Sequence, residues 1–161
     1  MGAKGRYCVL CGKNAVTDIV VRDFKLPTEM GTVTIEGKST FEKCRSCGET
    51  LVPGSSIDHW NRLILKRLAS KQGYLTPEEL QFIFSILPYT QAEIAKATGR
   101  ERSTLTKYKK GTNPIDPLFD EALRRIVADH VRGSRETMEI LRRRTTSLPG
   151  DERVRRIKVG Y

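Results

Sequence analysis

Two pairs of cysteines have the spacing and the neighbours of metal ligands. Each pair is a C-x-x-C motif followed directly by glycine, and the four members are Cys8, Cys11, Cys44 and Cys47. Two intervening residues let both thiolates of a pair reach one ion, and the glycine relieves the tight turn that follows. Four thiolates complete a tetrahedral set that suits structural Zn²⁺ and leave no position for water or substrate. The motif therefore predicts a structural zinc ion and argues against catalysis at the metal.

Two alternatives for the cysteines stay open at this point. The thiols could be unligated, or they could hold an iron–sulfur cluster, which also uses four thiolates. Disulfides are disfavoured because the N-terminus lacks the apolar segment of a secretory signal, so we expect a reducing, cytoplasmic location. A domain of about 50 residues has too little core to fold securely alone, so the metal is expected to be a folding requirement.

A second group of candidate residues lies between residues 90 and 110. Residues 100–110 hold five basic residues and one acidic residue. Leu105 and Tyr108 are expected to face a core, and Ala95 and Gly99 permit a close crossing by the preceding helix. The remaining side chains are basic or carry hydroxyls, the types that reach phosphates and base edges. The predicted DNA-contacting residues are Thr90, Gln91, Arg100, Arg102, Ser103, Thr104, Thr106, Lys107 and Lys110.

The same residues also have a simpler interpretation. A small helical bundle can carry a solvated basic face without any partner, and Thr90 could serve only as a helix cap. The charge distribution favours a partner, because the net charge is +10 and +5 of it lies in residues 132–161. A polyanion fits such a chain, and nucleic acid is the commonest one.

The cysteines must be positioned by β-structure. Alternating and β-branched residues predict a strand over residues 15–24 and two more over residues 32–36 and 39–43. Gly37-Lys38 is predicted to form a tight turn between the last two strands.

A helix is expected to follow, because apolar residues recur at helical spacing through residues 57–68. Ser55 or Ser56 can cap its start, and Gly73 is expected to end it. We interpret this segment as a linker helix.

Four short helices are predicted to carry the second group of residues. Thr76 with Glu79 and Thr90 with Glu93 have the spacing of capping boxes, which mark two helix starts. The four helices are predicted between Pro77 and Pro88, between Thr90 and Gly99, over about residues 102–110, and over about residues 117–131.

The last of these helices and the segment after it are less clearly patterned. Leu118, Ala122, Leu123 and Ile126 are predicted to share the buried face of the last helix. After residue 131, Met138, Ile140 and Leu141 could extend a helix, whereas the arginines at 142–144 favour a mobile basic tail.

Together these elements predict an α+β protein with four segments. They are a zinc-binding strand domain (1–54), a linker helix (55–73), an all-α helix-turn-helix domain (74–131) and a basic C-terminal tail (132–161). No apolar run is long enough for a membrane span, so no membrane contact is expected. The chain also lacks G-x-S-x-G, H-E-x-x-H and P-loop motifs, so we do not expect an enzyme.

The two cysteine pairs and the stretch YTQAEIAKATGRERSTLTKYKKGTNPIDP, from Tyr89 to Pro117, resemble the MqsA-type antitoxins. These proteins join a YgiT-type zinc finger to an Xre-like helix-turn-helix domain. The resemblance covers about residues 7–131. It implies a structural zinc ion, a homodimer, repression of the protein's own operon at a palindrome, and a toxin bound by the N-terminal domain. Where the family places an Asn and an Arg that contact bases, this chain has Ser103 and Lys107, so its operator sequence is expected to differ.

The sequence thus predicts a sequence-specific repressor that binds double-stranded DNA and acts as the antitoxin of a toxin–antitoxin pair. One alternative is a stand-alone or phage-type zinc-containing regulator without a toxin. A further class, an enzyme or RNA-processing factor that holds its substrate on the zinc domain, is disfavoured because four thiolates leave no open metal site.

Overall fold

A computed structural model describes residues 6–146 of the chain. The described residues divide into two compact units between Arg67 and Leu68, inside the first helix. The strands are β1 (Val16–Thr28), β2 (Gly31–Cys44) and β3 (Thr50–Leu51). The helices are α1 (Gly54–Ser70), α2 (Pro77–Ile86), α3 (Gln91–Ala97), α4 (Arg102–Lys110), α5 (Pro117–Arg132) and α6 (Glu136–Thr146). The predicted α+β class is confirmed. In this part of the chain no helix is long and apolar enough to cross a bilayer.

The N-terminal unit is built on a long antiparallel hairpin, to which β3 adds a third strand beside β2. The turn consists of Glu29 and Met30, because Thr28 pairs directly with Gly31. The Thr28 hydroxyl fixes this turn by accepting from the Met30 N–H at 3.2 Å and donating to the Gly31 carbonyl at 2.7 Å.

The turn predicted at Gly37-Lys38 is wrong, since β2 runs through both residues. Gly37 has a φ of 102° and lies opposite a register shift between Arg22 and Phe24. Its N–H donates to the Asp23 carboxylate at 2.9 Å, while Asp23 itself has a φ of 49°. A β-bulge needs the same left-handed backbone as a tight turn, so glycine marks either one in a sequence.

An aromatic cluster forms the core of the N-terminal unit. The ring centroids of Phe24 and Phe41 are 4.9 Å apart in an edge-to-face arrangement, and Trp60 of α1 lies 5.3 Å from Phe24 and 6.0 Å from Phe41. Phe41 and Trp60 are almost fully buried. The cluster therefore packs the first part of α1 on the hairpin, whose second strand ends at Cys44.

In the C-terminal unit, helix starts follow the predicted capping chemistry. Thr76 and Thr90 accept hydrogen bonds from the backbone N–H groups of Glu79 and Glu93, whose carboxylates accept from the threonine N–H groups in return. Both capping boxes are thus confirmed. Leu80, Ile83, Ile94, Leu105, Leu123 and Ile126 are among the fully buried residues of this unit.

A buried ion pair links α5 to the segment before α2. The Asp120 carboxylate accepts from Arg124 Nε at 2.7 Å and from the Leu75 N–H at 2.9 Å. The guanidinium also donates to the carbonyls of Leu68 and Lys71, at 3.2 and 2.7 Å, and to that of Gly73. These bonds satisfy carbonyl groups that the end of α1 leaves unpaired.

The end of the described chain differs from expectation in two places. Leu118 was expected on the buried face of α5 but its side chain is 76% exposed, and Phe119 takes the buried position instead. Of the two interpretations of the segment after residue 131, the structure supports a helix, since α6 buries Met138 and lies against α3 and α5. The rest of the predicted tail, residues 147–161, lies outside the described residues.

Candidate metal centre and candidate nucleic-acid interface

The two cysteine knuckles have the same backbone geometry. In the first, the Cys8 N–H donates to the Lys13 carbonyl at 2.9 Å and the Gly12 N–H donates to the Cys8 carbonyl at 2.8 Å. The second repeats both bonds at the same spacing, from Cys44 to Glu49 and from Gly48 to Cys44, each 2.9 Å long. Each knuckle closes on a glycine with a positive φ, 68° at Gly12 and 78° at Gly48.

The hairpin brings the two knuckles together. The second knuckle begins at the end of β2, while the first precedes β1, and Val16 of β1 pairs with Cys44. The Arg45 N–H donates to the Ala15 carbonyl at 2.8 Å, which ties the two loops directly. The separation between the cysteine pairs in the sequence is therefore the length of the hairpin.

The four sulfur atoms fit a tetrahedral metal ion. All four lie within 4.8 Å of one another, and the Cys8–Cys47 and Cys11–Cys44 sulfur pairs are each 3.7 Å apart. A tetrahedron with Zn–S bonds of about 2.3 Å has S···S edges of about 3.8 Å. A disulfide needs about 2.05 Å, so these thiols are not oxidised pairs. The cluster can hold a metal ion through four thiolates, as predicted.

Within the cluster one thiol ionises readily and its neighbour does not. The backbone N–H of Cys47 contributes most to lowering the pKa of the Cys44 thiol to about 6. At Cys47 the backbone N–H of Glu49 lowers the pKa, but contacts with the sulfurs of Cys44, Cys8 and Cys11, together with partial loss of solvent, outweigh it and raise that pKa to about 12. A thiolate at Cys44 thus raises the cost of ionising its neighbour. A divalent cation among the sulfurs removes that repulsion and releases the remaining protons.

Helix α4 separates a buried face from a polar one. Leu105 is fully buried and Tyr108 is 7% exposed, with its ring 5.3 Å from that of Phe119. Both residues were expected to turn inward, and they do. The opposite face is exposed and consists of Arg102, Ser103, Lys107 and Lys110. Thr104 and Thr106 are half-buried at its edges. Helix α4 thereby presents three cations and a hydroxyl on one side.

Three of the remaining predicted contacts are engaged within the protein. Gln91 donates through Nε2 to the Arg102 carbonyl at 3.0 Å and to the Thr106 hydroxyl at 2.8 Å, which joins α3 to α4. Arg100 forms an ion pair of 2.8 Å with Asp116, the N-cap of α5. Thr90 caps α3. Of the three, only Gln91 bonds directly to α4.

Arg142 of α6 is a further candidate nucleic-acid-contacting residue, which the sequence pattern alone did not reveal. Its guanidinium donates to the Glu93 carboxylate at 2.8 Å and lies 5.8 Å from the centroid of the Tyr89 ring. The relevant feature in the sequence was the run of three arginines at 142–144, which is typical both of a mobile tail and of one basic helix.

Comparisons with protein-family models, with curated proteins and with solved structures found no significant match.

Proposed function

We propose that this protein is a sequence-specific DNA-binding repressor in which α3 and α4 form a helix-turn-helix and α4 enters the major groove. The observation that carries the proposal is the burial of Leu105 and Tyr108. Because these residues face inward, the cations and the hydroxyl of α4 face solvent together. A helix of this kind fits the major groove, where lysine can contact guanine and a hydroxyl can contact any base.

The contacts around α4 support the same role. A base-contacting helix must be held rigidly, because its side chains have to meet base edges at fixed positions. The Gln91 side chain joins α3 to α4 by donating to the Arg102 carbonyl and to the Thr106 hydroxyl. Gly111 ends the helix in the left-handed conformation with a φ of 70°. The exposed side chains therefore project from a fixed backbone.

The zinc and dimer components of the proposal have different support. The four-sulfur geometry supports a structural zinc ion in the N-terminal unit. A homodimer that binds a palindrome rests on the resemblance to MqsA-type antitoxins, and it would present two copies of α4 about 34 Å apart.

The antitoxin role rests on the same resemblance. In this role the N-terminal unit binds and neutralises a protein toxin. Co-purification with the product of the adjacent reading frame tests this, and a chain that binds DNA but not that product is instead a stand-alone regulator.

The DNA-binding proposal is tested by selecting sites from a random duplex library and measuring affinity by fluorescence anisotropy. Lys107→Ala should weaken binding to the selected site by about 1–3 kcal/mol and relax preference at one base pair. Lys38→Ala removes an equally exposed lysine from the hairpin and should leave that preference unchanged. Failure to enrich any sequence, or equal preference in the Lys107→Ala variant and the unmodified protein, would contradict the proposal for this helix.

A further inference from the structure

Helix α6 is basic and its position is fixed by packing. It carries three arginines and two glutamates, and two more arginines, Arg132 and Arg135, lie just before it. Met138 is 2% exposed, and α6 lies against α3 and α5. Its arginines are therefore held at defined places on the C-terminal unit.

One of these arginines is anchored to the first turn of α3. Arg142 pairs with Glu93 at 2.8 Å, and its guanidinium lies beside the Tyr89 ring. The side chains of Arg142 and Glu93 are 47% and 44% exposed. A solvent-exposed ion pair contributes little to stability, so the guanidinium can exchange Glu93 for another acceptor at little cost.

The same turn of α3 also contacts the helix that we propose enters the major groove. Gln91 bonds to Arg102 and Thr106 of α4, and Glu93, two residues further along α3, bonds to Arg142 of α6. Gln91 and Glu93 are two residues apart and project from different sides of α3. The link between Arg142 and the proposed interface is the start of α3, because the Glu93 carboxylate that binds Arg142 also accepts from the N–H of Thr90, a predicted DNA-contacting residue. A duplex that contacts Thr90 would pass close to Arg142.

From this arrangement we propose that Arg142 is a phosphate-binding residue that contacts the DNA backbone beside the segment contacted by α4. This inference rests on the proposed DNA-binding function. In the free protein Glu93 holds the guanidinium, and in the complex a phosphate replaces Glu93 as its acceptor. Arginine suits this exchange because its planar guanidinium binds phosphate as well as carboxylate through two parallel hydrogen bonds. Such a contact fixes the position of the protein on the duplex and carries no sequence information.

Glu93 gives the proposal a distinctive consequence. Its carboxylate lies beside the proposed phosphate site and competes for Arg142, so it opposes binding. Glu93→Gln keeps an acceptor for the cap of α3, removes the negative charge and weakens the hold on Arg142. This substitution should therefore tighten DNA binding, whereas loss of a purely structural ion pair would weaken it or leave it unchanged.

The test measures the affinity of the full-length protein for its selected duplex at several salt concentrations. Arg142→Ala should weaken binding to all duplexes alike and make the slope of log affinity against log salt shallower by about 0.9 for each phosphate that the variant no longer neutralises. Arg22→Ala is the matched control, because Arg22 is an exposed arginine of β1 in the N-terminal unit. It should leave the slope unchanged. Glu93→Gln should raise affinity in the native background, and it should raise affinity less when Arg142 is already alanine, because only relief of direct repulsion between the carboxylate and the phosphate then remains.

The outcomes separate the two proposals. If the unmodified protein selects no DNA sequence, both the proposed function and this inference fail. If it selects a sequence and Arg142→Ala leaves the salt slope unchanged, only the role of Arg142 is overturned. Circular dichroism of each variant establishes that α6 is still folded, and a variant with reduced helicity is replaced by Arg142→Gln, which keeps a polar side chain.

Discussion

The sulfur atoms of Cys8 and Cys47 lie 3.7 Å apart although the residues are 39 positions apart in the chain. Cys11 and Cys44 are equally close. The hairpin and the Arg45–Ala15 backbone bond bring the knuckles together, and a metal ion at their centre would replace sulfur–sulfur contacts with four metal–sulfur bonds. The folding of the N-terminal unit and the occupation of this site are therefore expected to be coupled.

Metal removal should unfold the N-terminal unit and spare the helical one. Trp60 is the only tryptophan of the chain and lies in the aromatic cluster of the N-terminal unit. A strong chelator should shift its fluorescence to longer wavelength, while the helical circular dichroism signal is largely kept. Elemental analysis should give one zinc ion per chain and no iron.

Substitutions in the knuckles provide the control for that experiment. Cys8→Ser removes a ligand and should reproduce the effect of the chelator. Ser46→Ala changes an exposed residue between two ligands and should keep both the metal and the native fluorescence. A Cys8→Ser protein with a full complement of zinc and an unchanged N-terminal NMR spectrum would rule out this site.

The two arginines at neighbouring positions of α5 should differ greatly in their contribution to stability. Arg124 is 11% exposed and pairs with Asp120, and Arg125 is 70% exposed and pairs with Glu121 at the same helical spacing. Arg124→Ala leaves the buried Asp120 carboxylate without its counter-ion and three carbonyls without this donor, so it should lower the free energy of unfolding by about 3–5 kcal/mol. Arg125→Ala should lower it by no more than about 0.5 kcal/mol. Urea denaturation of both variants measures the difference, and equal losses would contradict the role given to the buried network.

Much of the helical unit could be predicted from local chemistry. Thr76 and Thr90 start helices because a hydroxyl and a carboxylate three residues later satisfy N–H groups that a helix leaves unpaired. The C-terminal bound of α4 follows likewise from Gly111, and its orientation follows from the spacing of Leu105 and Tyr108. The four clustered cysteines were identifiable because metal binding by thiolates requires short spacing within each pair.

Features that depend on distant contacts could not be predicted in this way. Gly37 marks a bulge and not a turn because its partner, Asp23, lies across the hairpin. Leu118 and Phe119 are adjacent apolar residues, and periodicity alone did not decide which one packs against Tyr108. Arg142 is a candidate phosphate-binding residue only because α6 places it beside Glu93. In each case tertiary packing selected between patterns that the sequence left open.

The junction between α5 and α6 should weaken in acid. Asp129 is 4% exposed, and its carboxylate accepts from the Thr137 N–H at 2.7 Å and from Arg132. Burial raises the pKa of Asp129, but hydrogen bonds from Thr137 and the Arg132 guanidinium outweigh it and hold the pKa below its ordinary value of 3.8. Since the unfolded chain then binds the proton more tightly, the stabilisation is complete above pH 3.8 and is lost as pH falls through the lower, folded-state pKa.

The measurement for this junction is the difference in unfolding free energy between the native protein and Asp129→Asn. The difference should be largest near neutral pH and should shrink as pH falls below the ordinary pKa of the carboxylate, because protonation removes the charge that the substitution removes. A difference that stays constant into strong acid would show that Asp129 does not gain its stability as a carboxylate.

Helix α6 should prove integral to the C-terminal unit, in contrast to a tail that only adds charge. Met138 is fully buried and Ile140, two residues later on the same helix, is 41% exposed. Met138→Ala should cost about 2–5 kcal/mol because it leaves a cavity, whereas Ile140→Ala should cost much less. Truncation after residue 132 should lower the melting temperature, since it removes all of α6. If the chain that ends at residue 132 melts at the same temperature as the full chain, the packing of α6 contributes nothing to stability.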